Sequence, residues 1–207
     1  AKVNELHDKA RGQNGVTAVK VMANQLAGID KRLATFVATT DAGIFPHFAR
    51  SFSGAVWVWL RRGDVVLQAI SRIIARQTQV YHATEDKKDK HFVGNAMRGY
   101  NHEYNEASKY DRKEIFREVS SITLENLTWQ HFFEAHGIEP LEFVYEDVIA
   151  DEQMRHLDIL ANKLGRADPL SKTPRKLAKL GNSINIEWRN RFLREVAVSH
   201  FNLTKFL

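Results

Sequence analysis

Two adjacent arginines in Leu60-Arg61-Arg62-Gly63-Asp64 stand between a short apolar run and a segment with helical spacing. A pair of guanidiniums at a helix N-terminus, with the first-turn N–H groups and the helix dipole, is the chemistry of a phosphate or sulfate site. Ser71 lies seven residues beyond Asp64, about two turns on, so its hydroxyl shares that helix face. The same residues also suit a solvated arginine pair beside a helix start, with Ser71 as a small packing residue. Lys20 sits inside Val19-Lys20-Val21-Met22. A lysine in so apolar a stretch either reaches an anion at the carboxyl edge of a sheet or snorkels to solvent.

Other chemistries are excluded or weak. There is no cysteine, which removes disulfides, thiolate zinc sites, iron–sulfur clusters and a cysteine nucleophile. His102-Glu103-Tyr104-Asn105-Glu106 begins like a metalloprotease helix but ends in Glu, and it falls in aperiodic sequence, so no metal is expected. His131 and His136 flank a helix end and suit surface or capping roles. No Gly-x-x-x-x-Gly-Lys-Ser/Thr, Gly-x-Gly-x-x-Gly or Gly-x-Ser-x-Gly occurs.

The elements that must carry these residues follow from periodicity. Residues 2–11 read as the end of a helix. Gly15 to Met22 reads as a buried strand, rich in β-branched residues. Leu26 to Val37 has helical spacing, and Phe45-Pro46 marks a break. Ala55-Val-Trp-Val-Trp-Leu60 is continuously apolar, as expected of a strand covered on both faces. Val65 to Tyr81 follows as a helix, with an apolar stripe at 66, 69, 70, 73 and 74 and Asp64 as its N-cap. Residues 82–110 lack a period and read as a long loop, of the kind that often carries function. Asp111 to His136 reads as a long amphipathic helix closed by Gly137. Leu141 to Tyr145 alternates as a strand. Asp147 or Asp151 opens a helix ending near Gly165. A segment around Thr173-Pro174-Arg175 leads to a last helix near Ile186 to Val198. This alternation predicts an α/β fold with a mostly parallel sheet and helices on both faces.

Length and composition agree with one globular domain over 1–207. The 207 residues are 43% apolar and 27% charged, enough for a full core without staples. Thirty Lys and Arg against 25 Asp and Glu give a net charge of +5, which suits a small anionic ligand but supplies no nucleic-acid arm. No apolar run is long enough to span a membrane, and the polar N-terminal sequence has no apolar signal core, so the expected compartment is cytoplasmic. The sequence starts at Ala1 rather than Met, and an N-terminally incomplete domain is the expectation.

The stretch Val56-Trp-Val-Trp-Leu-Arg-Arg-Gly-Asp-Val-Val-Leu-Gln-Ala-Ile-Ser71, continuing through Arg76-Gln-Thr78, resembles the bacterial trehalose 2-sulfotransferase and lipopolysaccharide sulfotransferase-like family of PAPS-dependent enzymes. Two further blocks keep the family order. Gly15-Val16 through Lys20-Val21-Met22 is similar to its lysine-bearing strand. Phe132-Phe133 through His136-Gly137-Ile138-Glu139-Pro140-Leu141, with Val144-Tyr145-Glu146-Asp147, is similar to its His-Gly-Ile…Tyr-Glu-Asp segment. The final Glu187-Trp188-Arg189-Asn190-Arg191-Phe192 resembles its last helix.

The resemblance implies a P-loop-like, mostly parallel sheet flanked by helices. Its N-terminal strand and phosphosulfate loop are absent from these residues. It implies sulfuryl transfer from 3′-phosphoadenosine 5′-phosphosulfate (PAPS), leaving adenosine 3′,5′-bisphosphate (PAP), to a hydroxyl of a carbohydrate or glycolipid, without metal. By family pattern the 3′-phosphate falls to Arg61 or Arg62 and to Ser71, with Gln68 one turn earlier on the same face. Lys20 would be the catalytic residue beside the transferred sulfate. Met22 stands where cytosolic sulfotransferases carry a catalytic histidine, so no general base is named. Gly63 stands where this family commonly carries arginine, which leaves open which of Arg61 and Arg62 meets the phosphate. Tyr100, His102, Tyr104 and Tyr110 in the 82–110 loop are the expected acceptor-binding residues, through ring stacking on sugar faces. A homodimer is also implied. The alternative is a truncated or degenerate non-catalytic member of the fold. A P-loop-type kinase ranks below it, for want of a Walker-type lysine loop.

Overall fold

A computed structural model of the chain describes residues 9, 11–12, 16–88, 96–166, 170–172 and 177–204. A 3-10 turn at Ala23–Gln25 leads into α1 (Leu26–Leu33) and α2 (Pro46–Ser51). Then come β1 (Val58–Arg61), α3 (Val65–Thr78), β2 (His82–Thr84), β3 (Ala96–Arg98) and α4 (Arg112–Ala135). The chain continues with β4 (Leu141–Val144), α5 (Tyr145–Ala150), α6 (Arg155–Lys163) and α7 (Ser183–Thr204). The expected mixed α/β class is what forms, with helices flanking small parallel sheets.

Among the described residues the parallel strands form two pairs. β1 pairs with β4 in parallel, Val58 opposite Leu141 and Arg61 opposite Val144. β2 pairs with β3, also in parallel, within the 82–110 segment that reads from sequence as a long loop with room for short helices. An antiparallel bridge from Thr84 to Leu177 extends that second pair. Strands of three residues are too short to show a period, which is why periodicity does not find them. Residues 2–8, the glycine that opens the expected first strand, and Thr173-Pro174-Arg175 lie outside the described residues.

The helix signals act as their chemistry predicts. Asp111 accepts from the N–H groups of Lys113 and Glu114 at the start of α4. At its other end Gly137, at φ 60°, lets Ile138 N–H reach the Phe133 carbonyl at 2.9 Å, a Schellman closure. Pro46 occupies the first turn of α2, behind Phe45 at φ 50°. The expected helix from 147 or 151 to Gly165 is two helices, α5 and α6, separated by Met154 in the left-handed region. The last helix begins three residues earlier than its apolar pattern suggests, at Ser183.

Two cores result. Ile70, Ile73 and Ile74 of α3 pack on Ile115 of α4 and on Trp188 and Phe192 of α7. Leu26, Phe48, Phe132 and Phe133 form the second, with Trp57, Trp59 and Trp129 against it. Helix α4 serves both: its 24 residues span about 36 Å.

Two strand expectations are corrected. Ala55 to Leu60 is not covered on both faces. Trp57 and Trp59 point to the aromatic core, while Val58 and Leu60 are 44% and 57% exposed. With only β4 beside it among the described residues, β1 buries one face. Residues 18–22 form no strand either. Thr17 makes a single bridge to Arg11, and the chain then runs without a ladder to the 3-10 turn. β-branched composition does not make a strand where no neighbouring strand supplies hydrogen bonds.

Candidate anion site at the end of β1

The parallel register of β1 and β4 makes both strands end side by side, so the residues just beyond each strand meet. Arg61 Nε donates to Glu142 of β4, and its guanidinium lies 6.0 Å from the Trp59 ring. Arg62 Nε donates to Glu146 Oε1 at 2.9 Å and stacks over Tyr145 at 4.2 Å. The Gly63 N–H donates to the other Glu146 oxygen at 2.8 Å. One carboxylate thus holds the arginine side chain and the backbone of the turn. Each arginine is anchored through Nε, and neither has a protein partner for its terminal Nη groups among the described residues. An anchored guanidinium with an open fork has the chemistry to take an anion.

Asp64 closes the turn. Its Oδ1 accepts from Leu67 N–H at 2.8 Å as the predicted N-cap, and its Oδ2 accepts from Arg189 Nε of α7. One helical face beyond it carries Gln68 and Ser71, four and seven residues on. Gln68 Oε1 is buried without a hydrogen-bond partner. An orphaned acceptor of this kind calls for a donor, since leaving it bare costs about 1–3 kcal/mol. Ser71 is partly buried on the same face.

Burial pushes the Glu146 carboxyl up, but the Gly63 N–H and Arg62 outweigh it and hold the group below its ordinary value. A carboxylate depressed on folding stabilises the protein above its unfolded value, near 4.3. That contribution is lost as pH falls through the folded value. Glu146→Gln is therefore expected to lower the melting temperature by a few degrees at neutral pH and to converge on the parent only once the pH has fallen past that depressed folded value. Melting curves of both proteins across the acid range check this.

The remaining expected residues divide. Lys20 is exposed, and no described contact joins it to the turn. The Tyr100 and His102 rings stack edge-on with centroids 4.5 Å apart. Tyr104 donates to the Leu180 carbonyl at 3.1 Å, and burial, then Tyr100, push its hydroxyl up to about 12. Tyr110 donates to Glu195 at 2.8 Å beneath the Arg191 guanidinium, and burial followed by that hydrogen bond push it up to about 12. Both hydroxyls are thus used within the protein, in packing around α3 and α7. Asn105, fully buried, exchanges amide hydrogen bonds with Asn182 and bolts this loop to the start of α7. The loop's end meets α3 at Gln77, which bonds Lys109 both ways. That is 13 residues and about 20 Å along the helix from Asp64. Arg61 ends β1, Arg62 follows it, and Gln68 and Ser71 lie about one and two turns into α3, while Tyr110 packs against Trp188 and Arg191 of α7.

Sequence reasoning missed Glu142, Glu146 and Arg189. The signal for Glu146 was present in Tyr145-Glu146-Asp147 directly after a strand. Parallel pairing of that strand with Val58–Arg61 would have put it beside the arginines. Among the described residues no three His, Asp or Glu side chains gather as a metal site, and no helix is long and apolar enough to cross a membrane.

The sequence model of the Stf0 sulphotransferase family matches residues 1–195. The chain is also similar to trehalose 2-sulfotransferase from Mycobacterium tuberculosis (strain Erdman), 26% identical over 187 residues. That match covers 89% of this chain and 63% of the length of the relative.

Proposed function

Because this chain belongs to the Stf0 sulphotransferase family, we propose that it takes part in sulfuryl transfer from PAPS to a hydroxyl of a carbohydrate. The observation that carries the reading is the anchored arginine pair. Arg61 and Arg62 are fixed through Nε by Glu142 and Glu146, leaving their terminal N–H groups for an anion. Gln68, with its orphaned oxygen, and Ser71 extend the same surface along α3. These groups fit an adenosine 3′-phosphate: cations and a hydroxyl for phosphate, and an acceptor for a ligand N–H or O–H. When bound, PAPS would supply the transferable sulfuryl group.

The protein's own part is to hold charge and position. Glu146 keeps Arg62 and the Gly63 amide in place, so little reorganisation accompanies binding. Lys20, by family resemblance, would offset charge on the transferred group. The carbohydrate class of acceptor rests on the trehalose 2-sulfotransferase likeness, with glycolipid as a second source of the same hydroxyl. Tyr100 and His102 offer rings for it.

Adenosine 3′,5′-bisphosphate should stabilise the full protein against heat selectively over 5′-AMP. Arg61→Ala and Arg62→Ala should each weaken its binding several-fold to about a hundredfold, the range for one charged hydrogen bond. Titration calorimetry reads this. Parental affinity in both variants would remove the site assignment.

A further inference from the structure

Helix α4 keeps one face that nothing covers among the described residues. Its buried positions, Ile115, Ile122, Phe132 and Phe133, serve the two cores. On the side away from them Phe116, Leu124 and Leu127 are 60%, 64% and 53% exposed. Helical geometry gathers these three into about 80° of arc and about 16 Å of length. Ser120 and Thr123 lie among them. Their hydroxyls donate to carbonyls one turn back, Ser120 to Phe116 at 3.0 Å and Thr123 to Val119 at 2.9 Å. Those donors are satisfied inside the helix, which lowers the cost of taking the face out of water.

Charge is sorted across the same helix. Glu114, Glu118 and Glu125 turn to Arg72 and Arg76 of α3. Asp111, just before the helix, is taken by its cap hydrogen bonds. The exposed side keeps Arg112, Lys113 and Arg117 around Phe116, and it carries no acid before Glu134. Glu134 lies at the far end, where it accepts from Gln130 at 3.0 Å. Pairing the acids inward therefore leaves an apolar strip bordered by cations, on a chain whose net charge is +5.

Such a strip complements a surface that is apolar and anionic at once. We propose that this face of α4 docks on an anionic phospholipid bilayer. The helix lies in the headgroup plane, with Phe116, Leu124 and Leu127 dipping below it and Arg112, Lys113 and Arg117 among the phosphates. A second copy of the chain fits the face less well. Covered in both copies, these three side chains would bury well under the roughly 1,200–2,000 Å² of a stable interface. Lipid asks for no such area, because the cations add their attraction to a shallow apolar contact. Gln68 and Ser71 belong to α3, which packs on the other side of α4, so the docking face stands apart from the sulfuryl-transfer reading.

The test is co-flotation of the full protein with vesicles of phosphatidylcholine alone or of phosphatidylcholine with a third phosphatidylglycerol. The protein should float with the anionic vesicles and not with the neutral ones, and less as salt is raised. Phe116→Ser and Leu124→Ser should each weaken partitioning about tenfold, and Arg117→Gln about fivefold. Lys163→Gln removes the same charge from an exposed position on α6 and should change little. All four positions are exposed, so melting temperatures close to the parent's should separate lost docking from lost folding. No flotation with either vesicle would overturn the proposal. So would flotation undiminished in Phe116→Ser and Leu124→Ser, or a loss as large in Lys163→Gln as in Arg117→Gln, the mark of net charge alone. Self-association in sedimentation that Leu124→Ser abolishes, without flotation, would overturn it in favour of a second copy.

Discussion

Phe132→Ala is expected to unfold this protein more readily than any surface change, losing about 3–5 kcal/mol. Phe132 is fully buried. Its ring centroid lies 5.4 Å from that of Trp57, 5.7 Å from Phe48, 5.7 Å from Phe133, 5.8 Å from Trp129 and 5.0 Å from the His136 ring. Five rings therefore lose a neighbour at once. They belong to α2, the entry of β1 and α4, so no single side chain can swing in to fill the space. For a chain of this length the loss corresponds to a fall in melting temperature of about 6–20 °C. Phe132→Leu should recover more than half of it. A melting temperature within about 3 °C of the parent for the alanine variant would show that the aromatic core collapses around the cavity.

Arg72→Ala is expected to cost about 2–4 kcal/mol, the range for breaking a paired charge trimmed for partial exposure. Arg72 of α3 makes a two-pronged contact with Glu125, at 2.9 and 2.7 Å, and reaches Glu118 at 3.2 Å. Arg76, one turn on, takes the other Glu118 oxygen at 2.7 Å and Glu114 at 3.4 Å. Two cations of α3 thus face three carboxylates of α4. The Glu125 hydrogen bonds, opposed by burial, keep Arg72 more firmly protonated than a free guanidinium. Removing it leaves Glu118, only 13% exposed, and Glu125 short of positive charge. Arg72→Lys should recover part of the loss, because it keeps the charge but not the fork. In urea the midpoint should fall at unchanged slope. Adding Glu125→Gln should make the double variant's loss smaller than the sum of the singles. Strict additivity would mean the network contributes through packing alone.

Both effects lie in the scaffold that holds the candidate anion site. α3 presents Gln68 and Ser71 on one side and its ion pairs and isoleucines on the others. α7 touches the site directly through Arg189 on Asp64. Loosening either contact should also loosen the turn that carries Arg61 and Arg62.

What the sequence determined by itself is local. The Asp64 and Asp111 caps, the Gly137 closure, the Pro46 start and the isoleucine stripe of α3 depend on residues within a turn or two. Those interactions act over the distances that periodicity samples; the Asp64 cap, the Gly137 closure and the apolar stripe formed as read, while Pro46, read only as a break, opens α2, and Asp111, read as the first residue of a helix, caps it. The family was legible too, because its blocks of residues keep their order. Arg61, Arg62, Gln68 and Ser71 can be proposed together from the sequence, since a strand, a tight turn and a helix consecutive in the chain carry them.

Only the tertiary structure decided the rest. The partners of the arginines lie 81 and 84 residues away, and the parallel register of β1 and β4 brings them in. A one-residue change of register would turn Glu142 to the other face. The apolar run at 55–60 reads as a doubly covered strand, yet its coverage depends on neighbours that a run of side chains does not specify. The 18–22 segment has strand composition without a strand, for the same reason. The tyrosines of the 100–110 loop look available until Leu180 and Glu195 are seen to take two of their hydroxyls. His136 looks like a helix-end residue, and only the fold shows that it ties the loop before α2 to the end of α4. Caps and stripes are settled by nearest neighbours along the chain, whereas sites and coverage are settled by residues that meet only after the chain has folded.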